Sequence, residues 1–86
     1  MKPILRADRQ VFKHSGPHTD LTVIQFVQGF DRRLTDFLRS LPKRDRYYSA
    51  RDRTWEMDTY AWQQIVKPRI ERNGWATVIE ATIPTD

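Results

Sequence analysis

Few side chains in this chain of 86 residues are spaced to carry out a reaction. His14 and His18 stand four apart, the interval at which two imidazoles on one helix face share a metal ion. Gly16 and Pro17 lie between them, so the interval falls on a loop, and adding Asp20 does not make a standard ligand set. Glu56 and Asp58 are two apart at the end of a strand pattern, where a pair of carboxylates can bind a metal for nuclease chemistry. Asp58 is better used as a helix cap, and no Lys follows at a strand position to complete such a site. The three glycines are isolated, which excludes a glycine-rich phosphate loop. With no Cys there is no thiol nucleophile, thiolate metal site or disulfide. No catalytic residue, metal or cofactor is expected, and the chain reads as a binding protein, not an enzyme.

What the chain does carry is charge. Eight of its fifteen Lys and Arg residues fall between Arg32 and Arg53, against four acids from Asp31 to Asp52. That window holds the whole net charge of +4, and the remainder balances at seven basic against seven acidic residues. A polyanion is the simplest partner for such a concentration, although basic residues on an outer helix face also occur as plain solvated surface. Lys43, Arg44, Arg46, Arg51 and Arg53 are the expected phosphate contacts, and Arg32, Arg33 and Arg39 extend the footprint. Tyr47, beside Arg46, is the candidate for stacking on an unpaired base.

Composition bounds the rest. Eighty-six residues make a single domain, 1–86, with one modest core. Only 38% of residues are hydrophobic and mean hydropathy is -0.74, yet ten aromatics, three of them Trp, bury much area from few positions. No apolar run approaches the ~20 residues needed to span a bilayer, and MKPILRADR is not a signal peptide. An intracellular, cytoplasmic protein is expected, with no membrane and no small-molecule substrate. The pI of about 9.9 favours nucleic acid over acidic lipid, because no helix has a face suited to insertion.

The elements that position the basic window are readable in order. Pro3 to His14 is a possible first strand, and Leu21 to Val27, rich in β-branched residues between turn formers, is a second that can pair with it. Asp31 caps a helix running to Leu41, with an apolar comb at Phe30, Leu34, Phe37, Leu38 and Leu41 and a stop at Pro42. A hairpin follows, Arg46 to Tyr48 against Arg53 to Met57. Its alternation puts Trp55, Met57 and Tyr48 inward and Tyr47, Thr54 and Glu56 outward. Asp58 caps a second helix with Ala61, Trp62, Ile65, Val66 and Ile70 as its apolar set; Pro68 either kinks it or restarts it, and Gly74 ends it. The last strand is Trp75 to Ile83, and residues 84–86 fray. Trp55, Phe30, Phe37 and Trp62 are read as core. The order is β-β-α-β-β-α-β, an α+β fold: a mainly antiparallel sheet of about five strands with two helices on one face.

The run from Val23 to Met57 resembles the HARP (HepA-related protein) domain found beside annealing-helicase motors, and similar short modules in bacteria and phages. Phe30, Leu34, Leu38, Pro42, Arg46, Tyr48, Arg53 and Trp55 carry the resemblance: strand, aromatic, helix with spaced Leu, turn, Arg-x-Tyr, polar turn, and a basic residue two before Trp. Ser49-Ala50 stands where family members often have Asp-Pro, and no motor follows. What the resemblance implies is a stand-alone, structure-sensitive DNA-binding module, for single-stranded or forked DNA before RNA, with no chemistry of its own. The rival expectation is a small protein-interaction factor, of phage or plasmid type, that offers its basic surface or open sheet face to an acidic protein.

Overall fold

Side-chain alternation decides which face of each strand is buried, and the chain has just enough apolar residues to cover one face. The computed structural model describes residues 2–12, 20–43 and 46–85. Five strands form one sheet: β1 (Ile4–Phe12), β2 (Asp20–Gln28), β3 (Tyr47–Ser49), β4 (Thr54–Asp58) and β5 (Thr77–Thr85), in spatial order β3-β4-β2-β1-β5. All neighbours are antiparallel except β1 and β5, which run parallel. A parallel neighbour cannot be reached through a tight turn, and the helical run between β4 and β5 supplies the crossover. This is the α+β architecture and element order expected. The edges differ from the expectation by a residue or two, and β5 continues through Thr85 instead of fraying.

Leu5 and Ala7 of β1, Ile24 of β2, and Trp55 and Met57 of β4 share the buried face and meet both helices there. Helix α1 (Arg32–Ser40) brings Leu34 and Leu38 to this core. Asp31 caps it as expected, its carboxylate accepting from the Leu34 amide at 3.1 Å. Because Asp31 is the cap, Phe30 lies outside the helix and off its apolar stripe. Phe30 is not a core residue: it is 63% exposed, with its ring 5.5 Å from that of Phe26. Gly29 before it has φ 72, and a Cβ there would come within 3.3 Å of the Pro3 backbone, so both the turn and the close approach require glycine.

The second helical run, α2, consists of α-helical Thr59–Ala61, a π-helical turn Trp62–Val66 and α-helical Lys67–Asn73. Pro68 sits in the first turn of the α-helical segment Lys67–Asn73, as in the restart expected, but the segment follows a π turn directly, with no break in the run. In an unbroken α-helix the Pro68 ring would strike the carbonyl of Gln64 and leave it without a donor. The widened turn, in which the Lys67 amide donates to Trp62 five residues back, accommodates the ring. It also rotates the buried stripe onto Trp62, Val66 and Ile70 and leaves Ile65, expected among the apolar set, 47% exposed. Gly74, at φ 63, ends the run in a Schellman motif: its amide donates to Glu71 and that of Trp75 to Ile70.

Polar groups fasten α2 to the sheet. The Thr59 hydroxyl donates to the Asp20 carboxylate at 2.6 Å and lies 2.9 Å from the buried Thr22 hydroxyl, while Arg9 grips Asp20 through two nitrogens. On β5, Glu80 accepts from the Trp62 indole at 3.3 Å and from Lys67. A buried indole N–H needs an acceptor, so Glu80 and Val78 face the helices, and Thr77, Ile79 and Ala81 lie exposed on the open face of the sheet.

Two expectations follow. Trp55→Ala should destabilise the fold by about 3–5 kcal/mol, the usual loss for a large core truncation; chemical denaturation matching wild type would place Trp55 outside the core. The second concerns pH. Hydrogen bonds from Arg9, opposed by partial burial and assisted by Thr59 and the charge of Arg9, hold the Asp20 carboxyl below its ordinary value. Hydrogen bonding does the same for Asp31 through Arg33 and for Glu80 through Lys67. A depressed carboxyl contributes stability that is complete above its unfolded value, about 4, and is lost as pH falls through the lower folded value. Asp20→Asn should therefore be less stable than wild type at neutral pH, and the difference should close in acid. Urea unfolding across that range checks it, and a constant difference would show that the charge of Asp20 contributes nothing.

Candidate nucleic-acid interface

The basic window is folded around the β3–β4 hairpin, and the parity of Trp55 sorts its side chains onto two sides. Trp55 is 7% exposed, opposite Ile24 on β2 and Tyr48 on β3. Its ring lies 4.6 Å from that of Tyr48. Tyr47 therefore points to the opposite face, as alternation predicts, and is 65% exposed opposite Glu56.

On the helix side, α1 and the hairpin enclose a cleft lined by Phe26, Phe30, Leu38, Arg39, Tyr48 and Arg53, with Trp55 and Leu5 at its base. On the other side, beyond the end of the short β3, a groove runs past Lys43, Arg46, Tyr47, Glu56, Asp58, Tyr60 and Ile65. Five of the large apolar side chains that remain exposed among the described residues gather at these two depressions: Phe30 and Tyr48 at the cleft, Tyr47, Tyr60 and Ile65 at the groove.

The expected phosphate contacts are not equivalent. Arg32 and Arg33, on the first turn of α1, are exposed and already face carboxylates, Asp36 at 3.9 Å and Asp31 at 2.9 Å. Arg46 is committed to the fold. Its Nε donates to the Leu41 carbonyl and its Nη2 to the Arg39 carbonyl, both at 3.0 Å, and its guanidinium lies 5.9 Å from the Trp55 ring. Carbonyls at a helix C-terminus lack amide partners and sit at the negative end of the helix dipole, so a guanidinium there is a cap as much as a surface charge. Arg39, Lys43, Arg51 and Arg53 are exposed and form no ion pair among the described residues. Arg39 and Arg53 line the cleft, Lys43 lines the groove, and Arg51 sits in the turn at the hairpin tip. Arg44 lies outside the described residues.

Arg53 has φ 55, alone among the described non-glycine residues in the left-handed region. The tip is held around it: Gln25 donates to the Asp52 carbonyl at 2.9 Å, and the Asp52 amide to the Ser49 hydroxyl at 3.4 Å. Of the candidate metal ligands, Glu56 lies on β4 opposite Tyr47, and the others are used otherwise or lie outside the described residues. Asp20 is engaged by Arg9 and Thr59, Asp58 accepts from the Tyr60 amide at 2.8 Å as the expected cap, and His14 and His18 lie outside the described residues. Among the described residues no three acidic or His side chains converge on a metal position, and no helix is long and apolar enough to cross a membrane.

Phe30, expected in the core, and Tyr48, expected to point inward beside Trp55, both line the cleft. For Phe30 a signal was present, since the residue before an N-cap lies outside the helix and its spacing to Leu34 need not follow the helical period. For Tyr48 alternation was correct, but the side of the hairpin it occupies is only partly roofed by α1, leaving it 42% exposed.

Arg46→Ala should destabilise the protein by about 1–3 kcal/mol, because two charge-assisted bonds to carbonyls are lost. Arg51→Ala should be neutral within about 0.5 kcal/mol, as for most surface changes. Arg53→Gly should stabilise by about 1 kcal/mol, since glycine is at ease at positive φ. Thermal or urea melts of the three variants check this ordering, and equal effects would remove the distinction between fold-bound and free cations. No family model, curated protein or solved structure matches the chain.

Proposed function

We propose that the chain is a small non-enzymatic nucleic-acid-binding module, for single-stranded or forked DNA, acting through the helix–hairpin side of the molecule. The observation that carries this reading is the convergence of two guanidinium groups that form no ion pair among the described residues, Arg39 and Arg53, on a cleft that also presents the exposed rings of Phe30 and Tyr48. Cations that are not already neutralised bind phosphate with least loss, and exposed aromatic faces suit bases that are not paired. Lys43 and Arg51 extend the positive surface around the hairpin, whereas Arg32 and Arg33 must share their charge with Asp36 and Asp31. Binding of this kind gives affinity and a preference for strand structure, with little choice of sequence. The likeness to the HARP module in the run from Val23 to Met57 supports the same class of ligand, and an intracellular setting accords with it.

A second reading is favoured by the groove on the opposite side. Tyr47, Tyr60 and Ile65 expose apolar surface together beside Lys43. Clusters of exposed aromatic and aliphatic side chains with charges of both signs at the rim, here Lys43 and Arg46 with Glu56 and Asp58, suit a protein surface. Tyr47, the expected stacking residue, belongs to this groove and not to the cleft.

Fluorescence anisotropy with single-stranded, forked and blunt duplex DNA tests the proposal. Wild type should bind the first two at low salt, with affinity falling as salt rises. Replacing Arg39, Arg51 and Arg53 by Ala should flatten the salt dependence by about 0.7 log units per lost single-strand phosphate contact. Changing Arg6 and Arg72, elsewhere on the surface, should do much less. Equal losses from both sets would mean diffuse charge without a site, and no binding of any DNA at low salt would turn attention to the protein-partner groove.

A further inference from the structure

We propose that the cleft between α1 and the β3–β4 hairpin receives one unpaired nucleobase, stacked on Phe30 and Tyr48, with Arg39 and Arg53 holding its flanking phosphates. This rests on the nucleic-acid reading above and specifies which part of the ligand enters which part of the protein.

The two exposed rings are held in place. Phe30 is braced from the protein side by Phe26, at 5.5 Å and 56° between ring planes, and its backbone is set by the left-handed Gly29 on one side and the Asp31 cap on the other. Tyr48 is braced in the same way by the buried Trp55, at 4.6 Å and 47°. Each ring thus has one side on a more buried aromatic and remains accessible from the cleft. Side chains held before binding lose little freedom on binding. The base of the cleft is apolar, from Leu5 and Leu38, and its volume of about 450 Å³ falls in the range of sites for single small ligands. That is the setting for one base with its sugar.

Charge separates a base with phosphates from an apolar peptide side chain. No Asp or Glu lines the cleft among the described residues, and its charged groups are Arg39 and Arg53. The groove on the other side of the hairpin contains Glu56 and Asp58, which repel phosphate. Of these two depressions, the cleft is the one that combines aromatic faces with a cationic rim free of acids among the described residues. Arg53 adds an independent indication. It keeps a left-handed conformation that glycine adopts more cheaply, and the strained residue is the one that brings a guanidinium to the cleft. Strain retained at a rim residue is expected where the side chain is needed there. A paired base offers its faces to its neighbours in the stack, so the cleft discriminates for unpaired strands.

The test compares an oligothymidylate with an abasic strand of equal length and charge, by anisotropy at low salt. Wild type should bind the oligothymidylate more tightly by roughly 5- to 100-fold, the range for one stacked base. Phe30→Ala should remove that preference and leave abasic affinity unchanged; Phe30 is exposed, so the variant should melt like wild type. Tyr48→Leu, which keeps an apolar contact for Trp55, should lower the preference too, whereas Tyr47→Ala should keep it. Arg53→Gly should weaken both strands alike while raising the melting temperature. If wild type binds both strands equally, recognition is by phosphates alone and the base site is wrong, although the nucleic-acid reading stands. If the preference survives Phe30→Ala and Tyr48→Leu but not Tyr47→Ala, the base stacks in the opposite groove and the assignment is wrong. Failure of wild type to bind either strand overturns both the site and the function.

Discussion

Trp55 has one place to go, and the arrangement of the helix–hairpin side follows from it. Its ring completes the core between the sheet and the helices, so the residues of β4 next to it must face solvent and its partner on β3, Tyr48, must share its side. Tyr47 is then turned to the opposite face. The guanidinium of Arg46 lies by the same indole and reaches two carbonyls at the end of α1. One buried ring thus fixes the hairpin's orientation, and one charged side chain ties the hairpin to the helix. The cleft is the space those two constraints leave, with core residues Leu5, Leu38 and Trp55 at its base and exposed Phe30, Arg39, Tyr48 and Arg53 on its walls.

The far half of the sheet is organised by different means. α2 must cross from β4, past two strands, to deliver β5 alongside β1, and Pro68 stands in its path. The π turn at Trp62–Val66 keeps the run continuous, and the Trp62 indole is then satisfied by Glu80, itself neutralised by Lys67. At the start of the run, Thr59, Asp20, Thr22 and Arg9 form a polar clamp at the edge of the core. Neither group lies at the cleft. They secure the scaffold at a distance from the cleft, whose own cations, Arg39 and Arg53, form no ion pair among the described residues.

Much of this was legible in the chain because it is decided locally. Asp31 and Asp58 are followed by helical patterns, Gly74 follows one, and β-branched alternation marks β2, so elements and order could be read in sequence. The hairpin parity was legible for the same reason, since a Trp two before a Met on a short strand has only one favourable side. What could not be read depends on contacts distant along the chain or on backbone detail. The charge of the window did not reveal that Arg46 is a cap for carbonyls five and seven residues back, or that Arg32 and Arg33 are matched by acids. The side that β5 shows to the helices is set by the indole of a residue on α2. Phe30 was placed in the core because its spacing fits a helix, yet the cap one residue later excludes it from that helix. The cleft itself arises from elements that are separate in sequence, with Phe30 and Arg39 on one wall and Tyr48 and Arg53 on the other.

The central claim is that strand recognition occurs in that cleft. Titrating single-stranded DNA into isotope-labelled protein, and following amide and aromatic signals by nuclear magnetic resonance, tests it most directly. The largest shifts should fall on Gly29, Phe30, Leu38, Arg39, Tyr48 and Arg53, with Thr77, Ile79 and Ala81 on the open sheet face unaffected. Shifts concentrated on Tyr47, Tyr60 and Ile65, or spread evenly over the open face, would contradict it.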